Sequence, residues 1–201
     1  RPILMSTPMV QSTLQGRKRR TRRIIKLPSY HPDMTEKAAG KWRIEGMELY
    51  DGNGQDEGTL RCPYGEVGDR LWVREAWNRI GDEYVYRATD EDVYPETRWK
   101  PSIHMPRVAC RILLEITDVR AERLQDISEE DAVAEGVLQV VSNRPSGETV
   151  KYNLWNDYRV GKVWCDTAKD SFATLWEFIN GPKSWDQNPY VWVIAFEVIT
   201  N

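Results

Sequence analysis

Apolar and polar positions along this chain fall mostly into short blocks of period two, broken by a few stretches of helical spacing. "ILMS" (residues 3–6) reads as a short strand. "TPMVQSTLQG" follows with Met9, Val10 and Leu14 on one apolar side. Thr7 as N-cap, Pro8 as first helical residue and Gly16 as the stop predict a helix there. "RRIIKL" (22–27) predicts a strand closed by Pro28. "KWRIEGMELY" holds a further strand candidate, and "DGNGQDEG" is a turn-rich loop. "RLWVREAW" alternates, with Leu71, Val73 and Glu75 on one face and Trp72, Arg74 and Ala76 on the other. "EYVYRAT" is its expected hairpin partner.

The second half opens with a long strand at 108–119. "DISEEDAVAEGV" predicts a short helix, capped by Ser128 with Asp131 in the capping-box position and ended by Gly136. Residues 137–166 are polar, carry turn signals at "NRPSG", and read as an insertion, as do residues 29–58. "TAKDSFATLWEFINGP" is the strongest helix: Phe172, Leu175, Trp176 and Ile179 recur at helical spacing before the Asn180-Gly181-Pro182 stop. "YVWVIAFEVI" is the closing strand. Short strands with isolated helices predict an α+β domain, or a small barrel with helices on its rim, rather than a doubly wound sheet.

Length and composition narrow this picture. The 201 residues fit one domain with insertions and suffice for a substantial core. Nine Trp imply that most serve as core or pocket wall. The net charge of -3 hides an asymmetry: residues 17–26 carry +7, which leaves -10 for the rest. A basic segment on an acidic body points to a local anion site, not to general duplex binding. Cys62, Cys110 and Cys165 are scattered, His31 and His104 are the only histidines, and no spacing suggests a metal site or another cofactor. Scattered thiols fit a reducing cytoplasm. No apolar run is long enough for a membrane span, and "RPILMSTPMV" lacks the apolar core of a signal peptide.

"GRKRRTRR" (16–23) matches a G-x-K-x-x-x-x-R signature. With the strand and helix before it and the strand after it, this resembles the ASCH domain of the PUA-like superfamily. "GDRLWV" (68–73) resembles the strand entered from a Gly-Asp turn in that fold. "LQDISEEDAVAEGV" (124–137) is similar to the helix that follows the long central strand. The last helix with "NPYVWVIAFEV" resembles the closing elements of phage and prophage ASCH proteins. The resemblance covers most of the chain outside 29–58 and 137–166. It implies a PUA-like small β-barrel with flanking helices, and a cleft that binds RNA, single-stranded nucleic acid or a modified nucleoside. One bacterial ASCH group hydrolyses 4-acetylcytidine, and its pattern carries over to Lys18, Thr21, Arg23 and a downstream helical Glu, here Glu135. Glu129 and Glu130 lie close to that position.

Amide hydrolysis needs a nucleophile, a proton acceptor and a stabilised oxyanion. Thr21 fits the first role. Lys18 fits the second if burial and neighbouring cations lower its pKa from ~10.4 toward neutrality. Glu135 fits a proton donor or water-orienting role. Arg17, Arg19, Arg20, Arg22 and Arg23 supply that charge and could hold a carbonyl or phosphate oxygen. Tyr64, Trp72 and Arg74 are candidates for the cleft rim and for base stacking, as are Trp77 and Trp192. In an extended segment Lys18, Arg20 and Arg22 share one face and Arg19, Thr21 and Arg23 the other, so the catalytic reading needs a turn or bulge between Lys18 and Thr21, expected just after Gly16. The alternatives are that Lys18 pairs with Glu135 structurally, that the chain reads nucleic acid without catalysis, or that it is a metal-independent ribonuclease.

Overall fold

A computed structural model describes residues 1–26, 43–50, 54, 56–143, 149–159 and 164–199. In chain order the elements are β1 (Pro2–Leu4), α1 (Thr7–Leu14), β2 (Arg20–Ile24), β3 (Arg43–Glu45), β4 (Glu48–Tyr50), β5 (Asp56–Thr59), β6 (Arg70–Arg74), β7 (Trp77–Ile80) and β8 (Glu83–Tyr86). Then come the single-turn α2 (Arg87–Asp90), β9 (Leu113–Arg123), α3 (Glu129–Ala134), β10 (Gln139–Asn143), β11 (Thr149–Asn156), β12 (Trp164–Cys165), α4 (Ala168–Asn180) and β13 (Tyr190–Ile199). The fold is mixed α+β, with a core made mostly of sheet.

The principal sheet runs β1-β6-β9-β13-β2, with β1 parallel to β6 and every other pair antiparallel. β13 lies inside it, and both of its faces are covered. Trp192, Ile194 and Phe196 pack with Ile3, Val10, Leu71, Leu114 and Ile116. Val191 and Val193 point the other way, onto Leu124, Ile127, Ala132, Ala168, Phe172 and Trp176. That double burial explains why "VWVIAF" is continuously apolar where a one-faced strand would alternate. Each large apolar side chain buried this way contributes roughly 1.5–3 kcal/mol.

Among the described residues the sheet does not close into a barrel. β1 and β2 are its two edges, and they touch through a side chain: Arg23 Nη2 donates to the Leu4 carbonyl at 2.9 Å. The segment 43–59 forms the small sheet β3-β4-β5, and β10-β11-β12 forms another within 137–166. The rest of the expected insertion at 29–58 lies outside the described residues.

Several expectations need correction. β2 starts at Arg20 and ends at Ile24, earlier than 22–27. "RLWVREAW" is not one strand of a hairpin with "EYVYRAT". The strand breaks after Arg74, and Trp77–Ile80 pairs with Glu83–Tyr86 instead, while β6 pairs β1 and β9. The long strand begins at Leu113 and not at 108, because Pro106 leads into a 3-10 turn over Arg107–Ala109. Ser6 occupies the N-cap of α1, so Thr7 is helical. On α4, Phe172 and Trp176 are buried as expected, but Ile179 is half exposed. Ser128 caps α3 through the Asp131 N–H, as the capping pattern predicts.

Candidate functional site

α1 ends in a tight reversal. Gly16 takes φ +71, and the N–H groups of Arg17 and Lys18 both donate to the Ser12 carbonyl at 3.0 Å. This turn precedes Lys18; it does not lie between Lys18 and Thr21, where the catalytic pattern requires one. It delivers Lys18 under α3, where the chain leaves that helix through Gly136 at φ +91. A Cβ on Gly136 would stand 2.6 Å from Ser12 Oγ and 3.0 Å from Lys18 Cβ. Only a glycine lets the two segments approach so closely.

Lys18 is 1% exposed, and its Nζ donates to Glu135 Oε2 at 2.7 Å and to the Glu135 carbonyl at 2.9 Å. Burial pulls its pKa below the ordinary lysine value; Glu135 opposes that shift, while Arg23 and Arg22 add to it. Arg22 is fully enclosed. Its guanidinium reaches Glu135 Oε1 at 3.1 Å, Glu122 Oε1 at 2.6 Å and Asp131 Oδ2 at 2.7 Å. Arg20 pairs with Asp131 Oδ1, and Arg120 with Asp118, Glu122 and Asp131. Lys18, Arg20, Arg22 and Arg120 thus face Asp118, Glu122, Asp131 and Glu135, four charges of each sign. The expected alternation holds among the described residues: Lys18, Arg20 and Arg22 all reach carboxylates, and Arg19, Thr21 and Arg23 reach none.

A cavity of about 260 Å³ wraps the free edge of β2, so residues of both parities line it. Thr21, Arg22, Arg23, Lys26, Glu135 and Asn180 form its polar side, and Tyr64, Phe172 and Trp176 its aromatic walls. Two polar atoms of these lining residues are buried without a hydrogen-bond partner: Thr21 Oγ1 and Trp176 Nε1. Such groups cost about 1–3 kcal/mol each unless something satisfies them. An adjoining cleft of about 570 Å³ shares Met9, Arg23, Tyr64 and Ile179 with this cavity and adds Arg74.

The structure therefore gathers Thr21, Arg22, Arg23, Tyr64 and Glu135 at one cavity, with Arg74 next door. Lys18 touches Glu135 but is not among the residues lining the cavity, so it stands behind the carboxylate. Arg17 donates to Gln15 and to the Gly136 carbonyl, and Arg19 is exposed with its Nε on the Gly16 carbonyl. Neither Arg19, Arg20 nor Trp72 lines these two spaces. Trp72 instead carries the guanidinium groups of Arg74 and Arg107 near its ring, at 5.4 and 5.2 Å. Trp192 is buried core, and Trp77 packs with Tyr84. Of the neighbouring acids, Glu129 caps the start of α4 and Glu130 is exposed, which leaves Glu135 as the one that meets Lys18. Trp176 is the site residue that sequence reasoning assigned only to a core stripe. Among the described residues no cluster of His, Cys, Asp or Glu is placed to hold a metal, and no helix is long and apolar enough to cross a membrane.

Comparison with protein-family models, curated proteins and solved structures finds no match to this chain.

Proposed function

We propose that this chain is a PUA-like ASCH protein that takes a modified nucleoside into the β2-edge cavity and hydrolyses an N-acyl group from its base. The substrate class is an amide of the 4-acetylcytidine kind. The observation that carries the reading is the orphaned pair, Thr21 Oγ1 and Trp176 Nε1, on residues that line one cavity with Glu135. An indole N–H can only donate, so it calls for an acceptor such as an acyl or base carbonyl. Thr21 and Glu135 line the same cavity without touching, and they are the residue types of a nucleophile and a base. The side-chain link from Arg23 to Leu4, across the two sheet edges, supports the barrel-like curl of the PUA class.

The chemistry then runs in two steps. The Thr21 oxygen adds to the acyl carbon as its proton passes to Glu135. The carbon–nitrogen bond breaks, and the proton moves from Glu135 to the departing base nitrogen. Water next cleaves the Thr21 ester; its hydroxyl joins the acyl carbon, its other hydrogen returns to Thr21, and a carboxylic acid leaves. Trp176 Nε1, which has no partner, donates to the developing oxyanion. Lys18 is a positioning residue here: it fixes the Glu135 carboxylate from behind through the 2.7 Å bond. The rings of Tyr64, Phe172 and Trp176 offer flat surfaces to a base.

One observation favours a second reading, a non-catalytic reader of a modified base. The charge network around Lys18 and Arg22 is complete without a substrate. Release of acetate and cytidine from 4-acetylcytidine separates the two. Turnover by the native chain that is lost in Thr21→Val and Glu135→Gln supports the hydrolase. Binding without turnover leaves the reader, and neither binding nor turnover removes this substrate.

A further inference from the structure

The adjoining cleft differs in charge from the cavity that holds Glu135. Arg23 and Arg74 both line it, with Tyr64, Ser6 and Ser102, and no Asp or Glu is among its described lining residues. Among the described residues Arg23 donates to two carbonyls, those of Arg22 and Leu4. Arg74 donates to the Ile103 carbonyl, and its Nε is buried without a partner. Neither guanidinium meets a carboxylate among the described residues. In the basic segment Lys18, Arg20 and Arg22 are neutralised at close range, whereas Arg23, like Arg17 and Arg19, is held by neutral oxygens among the described residues. At the same mouth, the Ser6 side chain caps none of the first-turn N–H groups of α1, whose dipole also favours an anion.

Two guanidiniums, two nearby hydroxyl-bearing residues and a helix start in a cleft with no acid among its described lining residues define a place for a compact oxyanion. The cleft is continuous in its lining with the catalytic cavity, through Met9, Arg23, Tyr64 and Ile179. We infer that Arg74 and Arg23 hold a phosphate carried on the sugar of the nucleoside whose base enters the β2-edge cavity. The preferred substrate is then a nucleotide or a nucleotide unit of a chain, not the free nucleoside. The base placement rests on the reading given under Proposed function; the phosphate placement stands on the cleft alone. Arg74 is the specificity-determining residue, because it lines the cleft and not the cavity where the acyl group would react.

Calorimetric titration with cytidine, cytidine 5′-monophosphate and ribose 5-phosphate tests this. The native chain should bind the monophosphate at least tenfold more tightly than cytidine. Arg74→Gln should reduce that preference to under about twofold with little change for cytidine, while Arg74→Lys keeps part of it. Arg107→Gln removes an exposed charge near the same Trp72 ring but outside the described cleft lining, and should leave the preference intact. Ribose 5-phosphate binding that depends on Arg74, without any cytidine binding, keeps the phosphate site and removes the base reading. Equal affinity for cytidine and its monophosphate, or no binding of any phosphate compound by the native chain, overturns the inference. The same follows if Arg107→Gln abolishes the preference as fully as Arg74→Gln. A short oligonucleotide that binds more tightly than the monophosphate, still through Arg74, assigns the phosphate to a nucleic-acid backbone; the reverse order assigns it to a free nucleotide.

Discussion

Glu75 and Glu135 are both buried carboxylates, 1% and 5% exposed, and each is met by an arginine. At Glu75 the pairing is complete. Arg111 grips both oxygens at 2.9 Å, lies 4.0 Å from the Tyr86 ring centre, and spends a further N–H on Thr89 Oγ1. At Glu135 the partners are a fully enclosed lysine and a fully enclosed arginine, and a cavity opens beside them with an orphaned hydroxyl and an orphaned indole on its lining residues. Burial and charge pairing alone do not mark a site, since both regions have them. Unsatisfied donors do not separate them either, since Arg74 Nε and Trp77 Nε1 flank Glu75. What separates the two is that Glu135 itself lines a cavity together with Thr21 and Trp176, whereas Glu75 lines neither that cavity nor the adjoining cleft.

The largest effects should come from the carboxylates themselves. Glu135→Ala leaves both Lys18 and Arg22 short of a counter-charge in the interior, and should cost about 3–5 kcal/mol, the range for breaking a buried pair. Glu75→Ala strands only Arg111, whose side chain is 28% exposed and can regain water, so roughly half that loss is expected. Urea midpoints at unchanged slope measure the difference. Equal losses would show that Glu135 is simply a second strut.

Next in size are the glycines that shape each region. Gly136→Ala meets both a positive φ and a contact 2.6 Å from Ser12 Oγ, and should cost about 2–3 kcal/mol. Gly81, in the β7–β8 turn at φ +60, has nothing within 4 Å of an added Cβ, so Gly81→Ala should cost only ~1–2 kcal/mol of left-handed backbone. Thermal unfolding of the two variants side by side checks the ordering.

A smaller effect concerns pH. Because burial lowers the Lys18 pKa, the folded chain gives up that proton before the unfolded chain does. Between the two pKa values the unfolded state binds more protons, so stability from this group rises with pH and is complete above the unfolded value. Below the folded value the cost of burying the cation is borne in full. Lys18→Met removes that rise, and the difference between native and variant stability should shift in favour of the native chain on going from neutral to alkaline pH. A flat difference curve for Lys18→Met would contradict the lowered pKa.

Much of the lysine side of the site was legible in the sequence. The helix pattern ends at Gly136, so Glu135 had to sit at its last turn, and the strand parity of residues 18–23 separated the arginines that meet carboxylates from those that do not. The acids that neutralise Arg22 were not legible. Glu122, Asp131 and Glu135 lie 100, 109 and 113 residues away, and pairing at that separation leaves no local pattern. Trp176 was hidden for another reason: apolar periodicity reads it as core, and only three-dimensional packing shows its N–H without a partner. The false hairpin arose because "RLWVREAW" keeps alternating through Glu75 and Ala76 with no glycine or proline to mark the break. The barrel was a matter of closure between β1 and β2, which no strand pattern specifies.

The smallest stability effect carries the sharpest contrast, because its sign differs between the regions. Thr21→Val swaps an unsatisfied buried hydroxyl for a methyl of nearly the same shape. The folded chain then no longer bears the desolvation of an unpaired O–H, and stability should rise by about 1 kcal/mol. Thr89→Val does the opposite. Its hydroxyl accepts from Arg111 Nη1 at 2.9 Å in an exposed setting, so its loss should cost ~0.5 kcal/mol. The Thr21 variant should also lose all turnover of an N-acylated nucleoside, and the Thr89 variant none. A gain in stability bought with activity is what a residue retained for chemistry produces, because packing alone would favour the methyl. If Thr21→Val instead destabilises the chain and leaves ligand handling intact, the hydroxyl is a structural group after all, and Glu135 joins Glu75 as a structural carboxylate.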